Sequence, residues 1–211
     1  MCIRDRLNDW ETVIFVYQSA LKQVETKIDI LNGEFQHRHK YNPIEHVKSR
    51  IKTPESIVKK LKRHGYESSI ENMVRYVNDI AGIRISCSFT SDIYLIADMI
   101  SKQNDLTILA RRDYMKNPKK SGYRSYHMLV TTPVFLSDSI IDTKVEIQIR
   151  TVAQDFWATL EHKMHYKFEG DGPDYITKEL RECARYVAEL DTRMEELNNE
   201  IQKYGKLSDK K

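Results

Sequence analysis

Lys144-Val145-Glu146-Ile147-Gln148-Ile149-Arg150 alternates polar and branched apolar side chains along its whole length. A period of two is the signature of a strand with one buried face. It sets Val145, Ile147 and Ile149 on one side and Glu146, Gln148 and Arg150 on the other. A polar face of this kind usually meets solvent. If it lines a cleft instead, Glu146 could hold a metal or take a proton, Gln148 could orient a substrate, and Arg150 could meet a phosphate or a neighbouring acid.

Working outward, Thr151 leads into a helix carrying Phe156, Trp157, Leu160 and Met164. Upstream, residues 82–89 read as a strand in which Ile83, Ile85, Cys87 and Phe89 alternate with Arg84, Ser86 and Ser88, and residues 105–112 and 125–134 read as two more. Residues 92–102 read as a helix with Ile93, Ile96, Ala97 and Ile100 on one side. Strands interleaved with helices imply an α+β core, a mixed sheet with helices packed on it.

Long helices flank this core. Trp10, Ile14, Tyr17, Leu21, Val24, Ile28 and Leu31 make an apolar stripe over about residues 9–32, with Gly33 as the expected stop. Over about 175–204, Ile176, Leu180, Cys183, Val187, Leu190, Met194, Leu197, Ile201 and Tyr204 make a narrower stripe like a coiled-coil seam. Its partner is either the N-terminal helix or a helix of another subunit. The linker expected before it is Gly170-Asp171-Gly172-Pro173, and Met1 to Arg6 fit no pattern. The whole chain, 1–211, reads as one domain with its core at about 43–168.

Composition narrows the classes. The 211 residues are 40% hydrophobic and 31% charged, as expected of a soluble globular protein. No apolar run approaches the roughly 18 residues that span a bilayer, and no secretory signal is apparent. Three distant cysteines, Cys2, Cys87 and Cys183, argue against a disulfide framework or zinc site and favour a cytoplasmic location. The net charge of +3 is modest, but cations cluster in residues 48–63 and 111–124, which suggests phosphate handling or simply two solvated basic surfaces. P-loop and Rossmann glycine patterns are absent.

Four segments carry candidate chemistry. In Arg50-Ile-Lys52-Thr53-Pro54-Glu55-Ser56, Thr53 is a helix cap and Pro54 the first helical residue. Arg50 and Lys52 therefore precede the positive end of a helix, and Ser56 and Lys60 share one of its faces, a plausible anion site. Asp79, in Asp79-Ile-Ala-Gly-Ile-Arg84, enters a strand beside Gly82; it is a turn former or a magnesium ligand. In Lys119-Lys-Ser-Gly-Tyr123-Arg-Ser-Tyr-His127, alternation puts Tyr123, Ser125 and His127 on one side, where a tyrosine beside cations could stack on a base or simply pack on the sheet. The fourth is the strand at 144–150. Carboxylates at Asp79 and Glu146 could clamp one metal between two strands, minimal equipment for phosphoryl-type transfer. His162 and His165 have metal-binding spacing but no third ligand nearby.

Taken together, Arg50-x-Lys52-x-x-x-Ser56-x-x-x-Lys60, Asp79-Ile-Ala-Gly-x-Arg84, Ser121-Gly-Tyr123-Arg-Ser-Tyr-His127 and Val145-Glu146-Ile-Gln148-Ile-Arg150-Thr resemble the synthetase domain of RelA/SpoT-type (p)ppGpp synthetases. Asp155-Phe-Trp157-Ala-x-Leu-Glu161-His-Lys163 also looks like that family, and the resemblance runs over about 10–204. The chain length, Asn8-Asp9-Trp10 start and terminal helices are similar to the single-domain small alarmone synthetases, close to the RelQ group.

The resemblance implies a nucleotidyltransferase-like fold, a mixed five-stranded sheet surrounded by helices. It implies Mg²⁺-dependent transfer of the β,γ-pyrophosphate of ATP to the 3′-hydroxyl of GDP or GTP in the stringent response. By motif position, Arg50 and Arg84 would sandwich adenine, while Lys52, Ser56 and Lys60 would hold the ATP phosphates. Asp79 and Glu146 would bind Mg²⁺, with Glu146 also helping to deprotonate the hydroxyl. Tyr123 would stack on guanine, and Lys119, His127, Gln148 and Arg112 would contact the acceptor or the donor phosphates. Family resemblance further implies a homotetramer, with (p)ppGpp as an allosteric ligand and single-stranded RNA as a further ligand to test. The chain contains no His-Asp dipeptide of the family's hydrolase domain, so product hydrolysis is not expected of it. A nucleotidyltransferase acting on RNA ends and a non-catalytic alarmone- or RNA-binding module are the competing readings.

Overall fold

A computed structural model describes residues 9–39, 41–167 and 174–208, with the side chains of 165–167 and 205–208 excepted. The expected linker at 170–173, the leader at 1–6, Cys2, Asn8 and the His165 side chain lie outside the described residues. The elements run α1 (Trp10–His39), β1 (Ile44–Ile51), α2 (Pro54–Arg63), α3 (Ile70–Tyr76), β2 (Ala81–Cys87), α4 (Thr90–Ser101), β3 (Thr107–Asp113), β4 (Tyr126–Phe135), β5 (Ile140–Thr151), α5 (Val152–Lys167) and α6 (Asp174–Ser208).

The five strands form one mixed sheet in the order β1-β2-β5-β4-β3. Strands β2 and β5 are parallel; the other neighbours are antiparallel. The central strand is the one whose alternation was clearest. Val145, Ile147 and Ile149 are fully buried and join Ile83, Ile85, Met128 and Val130 in one core. Helices α1 and α4 cover that face, contributing Val24, Ile28, Ile93, Ile96 and Ile100. This burial is the main source of stability, at about 1.5–3 kcal/mol for each large aliphatic side chain removed from water.

Asp9 caps α1, accepting from the Thr12 amide at 2.6 Å. The buried face of α1 adds Val13, Val16 and Ala20 to the expected stripe. A broad face of this kind suits packing on a sheet rather than a two-helix seam. The helix also runs through Gly33 to His39, so Gly33 does not stop it. Gly33 has an ordinary negative φ, and one glycine costs a long helix only about 1 kcal/mol.

Because α1 is committed to the sheet, it is not the partner of the C-terminal stripe. The first part of α6 packs on α5: the Trp157 indole donates to the Leu180 carbonyl at 2.9 Å, and Ala184 is buried beside Trp157 and Ala158. Beyond that, Leu190, Met194, Leu197, Ile201 and Tyr204 are all exposed.

Candidate active site

Strand register assembles the polar face opposite the core. One transverse row reads Arg112 (β3), His127 (β4), Gln148 (β5), Arg84 (β2) and Lys48 (β1). The next row on the same face brings Glu146, Gly82 and Arg50 into register. The alternation that buries the isoleucines therefore aims every second side chain of the motifs into one cleft. The cleft has three adjoining lobes. One of about 430 Å³ is lined by Arg50, Arg84, Lys119, Tyr123, His127, Gln148 and Arg150, among others. A second of about 210 Å³ includes Arg50, Asp79, Arg84, Glu146 and Gln148. The third, about 170 Å³, includes Lys60, Asp79, Arg112, His127 and Glu146.

Asp79 sits in the turn before β2. Its neighbour Asn78 accepts a hydrogen bond from the Lys144 ammonium, which also donates to the last carbonyls of α3, Val74 and Arg75. On the other side the Lys52 amide donates to the Ile80 carbonyl at 2.8 Å, fixing the exit of β1 against this turn. Lys52 and Lys60 then grip the two oxygens of Asp79 at 2.8 and 2.7 Å. Burial raises the Asp79 pKa, but these hydrogen bonds and charges outweigh it and leave the carboxyl below its ordinary value.

Glu146 is treated similarly. Burial opposes its charge, yet His127, 3.6 Å away, and Gln148, donating at 2.9 Å, bring its pKa below the usual value. The negative charge of Asp79, which lines two of the same lobes, pushes the other way. Among the described residues no group of three or more His, Cys, Asp or Glu is placed to hold a metal. Two carboxylates in a cationic cleft are instead the donor set that suits Mg²⁺ when phosphate and water complete its shell.

Tyr123 lies in the turn before β4. Its hydroxyl is 2.9 Å from His127 Nε2, Lys119 Nζ sits 4.6 Å from its ring centroid, and Arg150 Cζ is 5.7 Å away. Burial raises the phenol pKa, so the hydroxyl keeps its proton at neutral pH. Tyr123 and His127 share the cleft side, although regular strand begins only at Tyr126; Ser125 between them is buried, its hydroxyl donating to the Ile149 carbonyl at 3.1 Å. Arg124 turns away to the Met115 carbonyl.

Ser56 stands apart. It is exposed at the start of α2, its amide donating to Thr53 Oγ1 at 3.4 Å, and it lines none of the three lobes. Lys52 lines none of them either but reaches the cleft through its ion pair with Asp79, and the other expected residues converge on the lobes. His162 lines the largest lobe with Glu161 and Lys163 but has no described metal partner. Sequence reasoning assigned no role to Asp155, which lies 3.4 Å from Arg84 and 3.5 Å from Arg150. The available signal was Thr151-Val-Ala-Gln154: Thr151 Oγ1 accepts from the Gln154 amide, and Gln154 Oε1 accepts from the Thr151 amide, each at 3.1 Å. This capping box fixes the first turn of α5 and so places the acid that follows it.

Residues 49–171 match the family model described as the region found in RelA / SpoT proteins. The chain belongs to the RelA/SpoT family. It is 45% identical to the GTP pyrophosphokinase YwaC of Bacillus subtilis, over 92% of this chain and 93% of that protein. The small alarmone synthetase 2 of Bacillus subtilis superposes with a TM-score of 0.82 at 44% identity, covering 90% of this chain and 99% of that one. The small alarmone synthetase 1 of the same organism, in a crystal structure bound to its product pppGpp, gives 0.85 at 34% identity, covering 92% and 98%. The five-stranded mixed sheet is thus the sheet of the RelA/SpoT synthetases. Among the described residues no helix is long and apolar enough to cross a membrane.

Proposed function

We propose that this chain is a (p)ppGpp synthetase, transferring the β,γ-pyrophosphate of ATP to the 3′-hydroxyl of GDP or GTP. The observation that carries this reading is the convergence of Asp79 and Glu146 on one cleft in which cations outnumber acids. The acceptor 3′-oxygen attacks the β-phosphorus, the α–β bridging P–O bond breaks, and AMP leaves. Positioning and charge neutralisation do most of the work in such a transfer.

Arg50 and Arg84 flank the donor lobe and would take the adenine between them. Lys52 and Lys60, now held by Asp79, are the cations for which the triphosphate competes; exposed Ser56 would contribute only at its margin. Tyr123, flanked by Lys119 and Arg150, offers a ring for guanine. His127, Gln148 and Arg112 stand in one row across the sheet and would hold acceptor hydroxyl and phosphates. Asp79 and Glu146 would hold Mg²⁺, which supplies charge neutralisation on the phosphates. Glu146, 3.6 Å from His127, would also receive the hydroxyl proton.

The test is an incubation with Mg²⁺, γ-labelled ATP and GDP or GTP. Labelled guanosine tetra- or pentaphosphate is expected. Absence of label on either guanine nucleotide sinks the proposal, and α-labelled ATP appearing on an RNA end would replace it with nucleotidyl transfer.

We further propose that copies of the chain assemble through α6, forming a homotetramer. Leu190, Met194, Leu197, Ile201 and Tyr204 recur at heptad spacing and are exposed, while Phe156, Leu160 and Met164 on α5 add a second exposed row. Exposed stripes this long and regular suit helix–helix association. Leu190→Glu is expected to reduce the solution mass toward the 24.9 kDa of one chain without loss of helix by circular dichroism. An unchanged mass for the folded variant assigns the stripe no part in assembly.

A further inference from the structure

Among the described residues, four buried side-chain atoms lack a hydrogen-bond partner, and three of them, Arg84 Nε, Arg150 Nε and Asp155 Oδ1, belong to one cluster. Asp155 Oδ1 lies between the two guanidinium groups, 3.4 Å from Arg84 Nη1 and 3.5 Å from Arg150 Nε. Both distances exceed the roughly 2.7–2.9 Å of a good charge-assisted hydrogen bond, so one oxygen is shared and neither Nε is satisfied, although Arg150 Nη2 donates to Gln148 Oε1 at 3.1 Å. Both arginines line the 430 Å³ lobe, but they reach beyond it in different directions. Arg84 lines the lobe holding Asp79 and Glu146, whereas Arg150, only 2% exposed, reaches over the Tyr123 ring.

The acid is also rigidly mounted. The capping box fixes its turn, and Asp191 of α6 accepts from both Thr151 Oγ1 and Gln154 Nε2 at 2.8 Å. A fixed carboxylate held 3.4 and 3.5 Å from two guanidinium groups can close fully on one only by giving up the other. That is the two-state element that interdependent binding requires.

Resting on the reading of the cleft as donor and acceptor subsites, we propose that Asp155 is a positioning residue that makes binding in the two subsites interdependent. A base stacked on Arg84 draws that guanidinium from Asp155. The carboxylate then closes on Arg150 and holds it beside Tyr123, completing the acceptor wall. Linkage makes the effect reciprocal.

The experiment measures Kd for GDP with and without a non-hydrolysable ATP analogue, and for the analogue with and without GDP, at constant Mg²⁺. In the wild type each nucleotide should tighten the other by about 5-fold or more, the lower end of ordinary coupling. In Asp155→Asn the factor should fall below about 2-fold in both directions, a change that a merely structural carboxylate would not produce. Asp155→Glu retains the charge, and with it the fold, but moves the oxygen by one methylene; its factor should also fall below about 2-fold. Full coupling in either folded variant, or none in the wild type, overturns the inference while the nucleotide sites stand. A wild type that binds neither nucleotide overturns the reading of the cleft and the inference with it.

Discussion

Glu146→Gln is expected to lower pyrophosphate transfer about a thousandfold while leaving the protein folded, because an effect of about 4 kcal/mol on the barrier corresponds to three decades in rate. The substitution preserves shape and one carbonyl acceptor, so the hydrogen bond now donated by Gln148 has a partner. Its stability cost should stay near the 1 kcal/mol typical of one altered hydrogen bond. What would disappear is one of the two negative charges of the proposed Mg²⁺ site and, with it, the proposed acceptor of the hydroxyl proton. The pH profile gives an independent check. Burial raises the Asp79 and Glu146 carboxyls, but their cationic and hydrogen-bonding partners prevail and depress both. The charges are therefore kept to lower pH than those of ordinary carboxyls and are lost as pH falls through the depressed values. The acidic limb that these two residues impose on activity should accordingly lie below the usual carboxylate pKa. The labelled-nucleotide assay and a thermal melt on the same preparation decide the matter. A folded Glu146→Gln variant within 10-fold of wild type would remove Glu146 from the catalytic machinery.

Legibility in the sequence followed the strength of local constraint. Strand β5 is central and half-buried, so its period of two is unbroken, and the residues opposite its core face are the heart of the cleft. Strand β1 was not read as a strand. It lies at the sheet edge with a register shift near Ile44, and its inward residues Ile44, Val47 and Ile51 are spaced as on a helix. Helix α3, only seven residues long, is too short for periodicity to reveal. Gly33 misled because burial of the α1 face outweighs the propensity of one residue. Asp79 and Glu146 are distant in sequence and meet only because β2 and β5 are parallel neighbours, a pairing that no local pattern encodes. Here the motif order supplied what spacing could not. Asp155 went unassigned because its neighbours, Arg84 and Arg150, come from two different strands.

The mounting of the Tyr123 turn on α6 leads to the second large effect. Gly122 has φ +91°, a conformation that favours glycine, and a Cβ there would lie 2.5 Å from the Ala184 Cβ. Neither atom can swing aside, since one belongs to a tight turn closed by Gly122 N–H to the Lys119 carbonyl at 2.8 Å and the other to a buried helix face. Gly122→Ala should therefore separate the turn from α6 and carry Lys119 and Tyr123 with it. Backbone strain of about 1–2 kcal/mol adds to overpacking of about 1–3 kcal/mol. Activity should fall about 100-fold, as misplacement of about 1 Å in a positioned site can cost. The loss should appear mainly in KM for the guanine nucleotide, because Arg50, Lys52 and Lys60 stand on β1, its exit and α2, away from the turn. Adding Ala184→Gly removes the Cβ–Cβ collision but leaves the positive φ. Recovery of most of the acceptor KM in the double variant would assign the defect to helix contact, and its persistence would assign it to strain in the turn. A single Gly122→Ala variant with wild-type KM for GDP would show that α6 does not set the acceptor wall.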